Sequence, residues 1–258
     1  MTRTRVDTRE LSLPEELGPF LADSEVYDSS SSPSAKTYYL AQGSASYFLK
    51  IHSRGRLARE RGMSHYLSPF DLAPRVVFFE SLGGKDYLVT EALEGQDGIS
   101  KEHLDRPEEL ARIFGKSLAV LHSLPAQDCP YQDRKTEMTD LARRNIAAGK
   151  FDLSLIPEGF DAGRKRFESL LPLTQADALI HGDYCLPNIL LRDFHLRGFV
   201  DLGNGGWGDS HYDLFWGLWT LNFNLGTTKY NDAFLEGYGA GPLDGDRIEF
   251  NRLLSGFT

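Results

Sequence analysis

Cysteine is scarce in this 258-residue sequence: Cys129 and Cys185 are the only two, too few for a disulfide framework and without metal-ligand spacing. A reducing cytoplasm is therefore the expected compartment. Basic charge is also short, since 28 Lys and Arg against 37 Asp and Glu leave a formal net charge of -9. That balance argues against a nucleic-acid partner, which normally calls for a basic face. It suits a small cationic partner, and it suits plain solubility equally well. No apolar run is long enough to cross a bilayer, so no membrane partner is expected. The opening Met1-Thr-Arg-Thr-Arg has no apolar stretch behind it and does not read as a secretory signal. Repeats are missing, and low complexity is confined to the serine run Ser29 to Ser32. Nothing in the sequence marks an oligomeric state.

Hydrophobic residues at 41% and charged residues at 25% are ordinary for a globular chain, and the length leaves room for two modest lobes. The first ninety residues read as strands with turn punctuation. Lys36-Thr-Tyr-Tyr-Leu, a Gly43-Ser turn and Tyr47-Phe-Leu-Lys-Ile form one hairpin. A helix is expected from about Leu57 to Leu67, followed by a second hairpin of Arg75-Val-Val-Phe-Phe-Glu, Gly83-Gly84 and Tyr87-Leu-Val-Thr. After Glu91 the pattern turns helical. Leu110, Ile113, Phe114, Leu118 and Leu121 recur at helical spacing behind Pro107, a residue suited to a first helical turn. Ala147 to Gly163, richer in Gly, Pro and Asp, reads as a surface loop or broken helix.

The chemistry concentrates in Ile180-His-Gly-Asp-Tyr-Cys-Leu-Pro-Asn-Ile-Leu-Leu and in Gly198-Phe-Val-Asp-Leu-Gly. An Asp, an Asn five residues later and a second Asp at the end of an apolar strand are the groups phosphoryl transfer needs, because that reaction rests on positioning the hydroxyl and neutralising phosphate charge. Asp183 would orient the acceptor hydroxyl and accept its proton. Asn188 and Asp201 would hold magnesium through hard oxygen ligands. Each residue alone is a common loop or strand-end residue, but the joint spacing is not. Upstream, Lys50 ends a strand where an ammonium reaches phosphates, and Glu60 on the following helix would pair with it. His181 is expected to brace the loop. Cys185 is expected to be a small buried residue, and Trp207, Trp216 and Trp219 to be core.

At these residues the chain resembles the aminoglycoside phosphotransferases, relatives of protein kinases in which His-Gly-Asp stands for His-Arg-Asp. Cys185-Leu-Pro-Asn188 and Asp128-Cys-Pro-Tyr131 are similar to the 3'-phosphotransferases in particular. The resemblance implies an α+β, bilobal protein-kinase-like fold. Its antiparallel-sheet N-terminal lobe, residues 1–91, would bind nucleotide, and its mostly helical lobe, 92–258, would carry catalysis and the acceptor, with ATP in the cleft and Mg2+ as cofactor. It implies that backbone groups of Thr90 and Ala92 meet the adenine edge. It also implies a phosphate-covering loop before Ala35-Lys-Thr-Tyr, where Ser32 and Ser34 would offer hydroxyls and amides; a flexible serine-rich turn explains that stretch equally well. As in the family, no Gly-x-Gly-x-x-Gly run precedes Lys50.

On the acceptor side the likeness thins. The family's terminal carboxylates become Ser255 and Gly256, its Asp-Leu-Gly-Arg becomes Asp201-Leu-Gly-Asn204, and Asp152, Glu158, Asp161 and the terminal carboxylate of Thr258 remain to hold a polyamine. Restoring charge with Ser255→Asp and Gly256→Glu is expected to tighten binding. The implied activity is ATP-dependent phosphorylation of an aminoglycoside hydroxyl, which would confer resistance. Its rivals are a kinase for another hydroxylated metabolite, such as a ketosamine or amino alcohol, and a nucleotide-binding pseudokinase, which the intact Lys50, Glu60, Asp183, Asn188 and Asp201 argue against.

Overall fold

A computed structural model of the chain describes residues 3–8, 11, 13–32, 34–239 and 243–258. They divide into two compact units. The first holds the described residues up to Gly95 together with Arg197–Gly203, and the second holds Gln96–Leu196 with Asn204–Thr258. The first unit thus runs beyond Glu91 and takes in a short segment expected with the second, because the strand-end stretch around Asp201 packs on the sheet-bearing unit.

In the first unit, β1 (Thr4–Val6), α1 (Gly18–Leu21), β2 (Glu25–Asp28), β3 (Ala35–Gln42), β4 (Ala45–Ser53), α2 (Ala58–Leu67), β5 (Val76–Leu82) and β6 (Lys85–Glu91) follow in order. The strands form one antiparallel sheet, β1-β2-β3-β4-β6-β5. Both expected hairpins are present, and the first turns at Gly43, whose φ of 59° is left-handed and favours glycine. Strand alternation buries Tyr38, Leu40, Leu49, Ile51, Tyr87 and Val89 in one cluster. Lys50, between Leu49 and Ile51, is thereby turned to the opposite face.

The second unit comprises β7 (Gln96–Asp97), α3 (Lys101–Leu104), α4 (Pro107–His122), α5 (Arg134–Ala147), α6 (Phe160–Leu170), β8 (Ala178–Ile180), β9 (Ile189–Arg192), the start of β10 (His195–Phe199), β11 (Gly206–Gly208), α7 (Ser210–Leu225), α8 (Asn231–Tyr238) and α9 (Gly245–Phe257). The periodic stripe expected after Pro107 forms α4, with Leu110, Phe114, Leu118 and Leu121 fully buried. The loop expected from Ala147 ends earlier than Gly163, since α6 already begins at Phe160.

Helices α4 and α8 meet backbone to backbone. A Cβ on Gly115 would lie 1.9 Å from the Phe234 carbonyl oxygen, and one on Gly237 would lie 2.1 Å from that of Arg112. Elsewhere α5, α6 and α9 enclose a core of Met138, Phe167, Phe250, Leu253 and Phe257. Asp209 caps α7 by accepting from the His211 N–H at 2.9 Å. It also receives Arg247 of α9 at 2.5 Å, while Arg247 reaches Asp177 at 2.7 Å. This buried pair fastens α9 to the start of α7.

Candidate active site

In the first unit the structure brings Lys50, Glu60 and Asp201 together. The Lys50 ammonium donates to Glu60 Oε1 at 2.5 Å and to Asp201 Oδ1. Burial alone would push the ammonium down, but the Glu60 and Asp201 carboxylates outweigh it and hold Lys50 above its ordinary value. It is a permanent cation at neutral pH. Glu60 is in reach because the start of α2 is pinned: the buried Asp86 accepts from the Leu57 N–H at 3.0 Å and from the Ser81 hydroxyl at 2.6 Å. Burial would raise the Asp86 carboxyl, yet those hydrogen bonds leave it below its ordinary value. Asp201 adopts φ 59°, a conformation uncommon outside glycine that tends to mark functional positions.

The serine loop is more internally satisfied than expected. The Ser32 N–H donates to the Ala35 carbonyl at 2.7 Å, the Ser32 hydroxyl accepts from the Ala35 N–H at 3.1 Å, and it lies 3.2 Å from the Ser34 hydroxyl. Pro33 lies outside the described residues. At the end of β6 the Ala92 N–H donates to the Ser46 carbonyl at 2.8 Å, while Thr90 sits in the sheet opposite Phe48. The Ala92 donor expected for adenine is therefore engaged within the unit.

In the second unit the loop after β8 gathers Asp183 and Asn188. The Asn188 side-chain amide donates to the Asp183 carbonyl and to Asp183 Oδ2, both at 2.9 Å. Those contacts use only its nitrogen, not its side-chain oxygen. The Cys185 thiol donates to Asp183 Oδ1 at 3.0 Å, so this half-buried residue touches the Asp183 carboxylate as well as filling space. Tyr184 anchors the loop below: its ring stacks on Phe114 with centroids 4.4 Å apart, and its hydroxyl donates to the Phe114 carbonyl at 2.6 Å.

A residue that sequence reasoning passed over holds the loop from behind. Asp213, fully buried on α7, accepts from the backbone N–H groups of His181 at 2.6 Å and Gly182 at 2.9 Å. His122 Nε2 lies 3.3 Å from it, and His122 Nδ1 lies 2.9 Å from the Tyr238 hydroxyl. Its signal was present in the sequence, as the one charged residue in an otherwise uncharged helical stretch from Tyr212 to Leu225. On the same helix Thr220 Oγ1 accepts from the Leu186 N–H at 3.4 Å. Gly182 has φ 76°, and a Cβ there would lie 2.1 Å from the Asn204 carbonyl oxygen, so both conformation and space require the glycine of His-Gly-Asp.

The acceptor residues named from sequence fare unevenly. Glu158 is tied to Arg252 at 2.6 Å, and that hydrogen bond holds its carboxyl below the ordinary value. It is a neutralised charge rather than an open one. Asp152 accepts from the Ser154 hydroxyl at 2.7 Å and its N–H at 2.8 Å, closing its own turn. Asp161 is exposed in the first turn of α6, and Thr258 is exposed at the end of α9. Gly256→Glu cannot restore a carboxylate, because a Cβ there would already meet Ile156 side-chain carbons at 2.5 and 2.7 Å. Trp219 is 43% exposed on α7, not core, while Trp207 and Trp216 are half-buried.

Among the described residues no group of three His, Cys, Asp or Glu side chains could hold a metal ion. Magnesium does not require one, since it commonly takes one or two protein oxygens and completes its shell with phosphate and water. Asp201 in the first unit carries a hard carboxylate and Asn188 in the second an amide oxygen, each a ligand type that magnesium takes. No helix among the described residues is long and apolar enough to cross a membrane.

An α+β chain with a lysine–glutamate pair in its sheet-bearing unit and an Asp-Asn loop in its helical one has the parts of a kinase-like phosphotransferase. The chain belongs to the phosphotransferase enzyme family, whose model matches residues 30–250. It is 35% identical, over 92% of its own length and 91% of the other, to a Lactococcus lactis protein named "Probable aminoglycoside 3'-phosphotransferase". Solved structures share the fold, among them the two that follow. Aminoglycoside-3'-phosphotransferase of type VIII matches with a TM-score of 0.75 and 28% identity, covering 92% of this chain and 94% of that one. The Streptomyces rimosus aminoglycoside phosphotransferase APH(3'')-Id matches with a TM-score of 0.77 and 26% identity, covering 96% and 97%.

Proposed function

We infer that this chain transfers the γ-phosphoryl group of ATP to a hydroxyl of an aminoglycoside antibiotic, as a 3'-phosphotransferase that confers resistance in the cytoplasm. What supports the reading is the intact Lys50, Glu60 and Asp201 contact in a chain similar along 92% of its length to an enzyme bearing that name. The Streptomyces rimosus relative has also been solved with ADP and streptomycin.

In this reading Lys50, locked as a cation, binds the α- and β-phosphates, and Glu60 fixes its position. Ser32 and Ser34 cover the phosphates once their loop releases its own contacts. Thr90 and Ala92 receive adenine, Ala92 exchanging its Ser46 partner for the base. Asn188 and Asp201 supply oxygens to magnesium, which neutralises phosphate charge when bound. Asp183, oriented by Asn188, aligns the acceptor hydroxyl and takes its proton as the new P–O bond forms and the bond to ADP breaks. A loose transition state lets a weak base act late, so alignment is the larger part of its contribution.

Asp152, Asp161 and the Thr258 carboxylate would attract the acceptor's ammonium groups, with Glu158 contributing little beside Arg252. That neutralised carboxylate is the observation favouring a second reading, a kinase for a less charged hydroxylated amine. A coupled assay for ADP release across kanamycin-type antibiotics, amino sugars and amino alcohols separates the two. Turnover of an aminoglycoside, with KM rising as salt rises, supports the first reading. No aminoglycoside turnover at millimolar concentration alongside turnover of an amino alcohol replaces it with the second.

A further inference from the structure

The outward face of α7 is aromatic and exposed. Trp219 and Phe223 are 43% and 71% exposed and stack on each other, with centroids 5.1 Å apart and ring planes 7° from parallel. Trp216 meets Trp219 edge-on at 5.4 Å. Between Asp213 and Lys229 the chain carries no charged residue at all. Large stacked rings left in water are costly unless they serve recognition, and contiguous exposed aromatic surface marks binding sites.

Three observations tie this face to the reaction. First, the same helix holds the catalytic loop through Asp213 and Thr220, and the aromatic residues lie about a quarter-turn around the helix from that face, given 3.6 residues per turn. Second, the ladder is braced before anything binds. Trp216 packs on the buried core of the second unit, which holds Tyr212 of α7 and Leu253, Leu254 and Phe257 of α9. Third, two carboxylates expected to grip a polyamine are already engaged, Glu158 by Arg252 and Asp152 by the Ser154 hydroxyl and N–H.

We propose that Trp219 and Phe223 form a stacking platform for the acceptor. An aminosugar ring would lay its apolar C–H face, with a ring ammonium, on the open outer face of this stacked pair, that of the more exposed Phe223, with Trp219 backing it from the inner side. The platform favours acceptors whose amines sit on saturated rings over flexible linear polyamines. It rests on the aminoglycoside reading and deepens it: attraction by charge is partly replaced by stacking.

The test compares wild type with Trp219→Ala, Phe223→Ala and the conservative Trp219→Phe, using kanamycin as acceptor and spermine as a ring-free competitor. Each alanine variant should raise the kanamycin KM about tenfold, leave the ATP KM and the thermal midpoint unchanged, and lower kcat little. Trp219→Phe should recover most of the loss. Spermine should inhibit wild type and both alanine variants equally. Wild-type tryptophan emission should shift on titration with kanamycin, and that shift should be lost in Trp219→Ala. Unchanged kanamycin KM in both folded alanine variants of an enzyme that phosphorylates kanamycin overturns the platform alone. A wild-type enzyme that phosphorylates no aminoglycoside overturns the functional reading and the platform with it.

Discussion

Asp213 Oδ2 accepts a hydrogen bond from the His181 backbone N–H at 2.6 Å, so a carboxylate on α7 sets the path of the loop that presents Asp183. In Asp213→Asn the shape is kept, but one of the two loop N–H donors must face an amide N–H2. Leaving a buried donor unpaired costs about 1–3 kcal/mol. The expected outcome is a lower thermal midpoint and kcat reduced about tenfold or more at an unchanged ATP KM. Wild-type kcat in this variant would remove Asp213 from any positioning role.

Asp183→Asn keeps the side chain's shape beside Asn188 but removes the charge and the proposed base. Turnover should fall at least about a hundredfold while nucleotide affinity stays near wild type. Steady-state kinetics paired with ADP titration decide the matter; near-normal turnover would exclude Asp183 from the chemistry.

Lys50 and Asp201 touch, so Asp201→Ala should act on nucleotide in two ways: one expected magnesium ligand is lost, and the Lys50 ammonium keeps Glu60 alone. Calorimetry should show the magnesium-dependent part of ATP binding abolished, with weak metal-free binding surviving. Unchanged Mg-ATP affinity would defeat the metal assignment.

Arg247 and Asp209 predict a pH-dependent stability. Burial pushes the Asp209 carboxyl up, but hydrogen bonds from His211 and Arg247 leave it below its ordinary 3.8. A lowered carboxyl stabilises the fold above that ordinary value, and the contribution drains away as pH falls below it. Arg247→Met leaves a buried carboxylate without its cation and should cost about 3–5 kcal/mol at pH 7. The stranded carboxyl then protonates readily, so the deficit should shrink as pH falls towards 4. Urea denaturation at pH 7, 5 and 4 checks this, and a deficit constant with pH would contradict it.

Both hairpins, the α4 stripe and the Lys50–Glu60 contact were legible in the sequence because each follows from local periodicity or from a short span between strand and helix. The residues that escaped are those whose meaning is set by a distant partner. Asp213 reads as an ordinary first-turn acid until the loop N–H groups 31 and 32 residues earlier are seen against it. Glu158 reads as open charge until Arg252, 94 residues on, closes over it. Trp219 sits in a segment so apolar that core was the natural expectation, and helical phase alone does not say which side of such a helix meets water.

The backbone contact of α4 with α8 bears on how this protein comes apart. Helices separated by interlocking side chains can loosen by stages as those side chains repack. With carbonyls facing Gly115 and Gly237 there is no layer to repack, so the docked pair has one arrangement and then none. Phe234 of α8 also lies against Phe114, the ring on which Tyr184 of the Asp183 loop stacks. Undocking α8 would therefore remove the support of that loop in the same event, and heat inactivation and loss of structure in this unit should follow a single sharp curve with no active, half-melted species between.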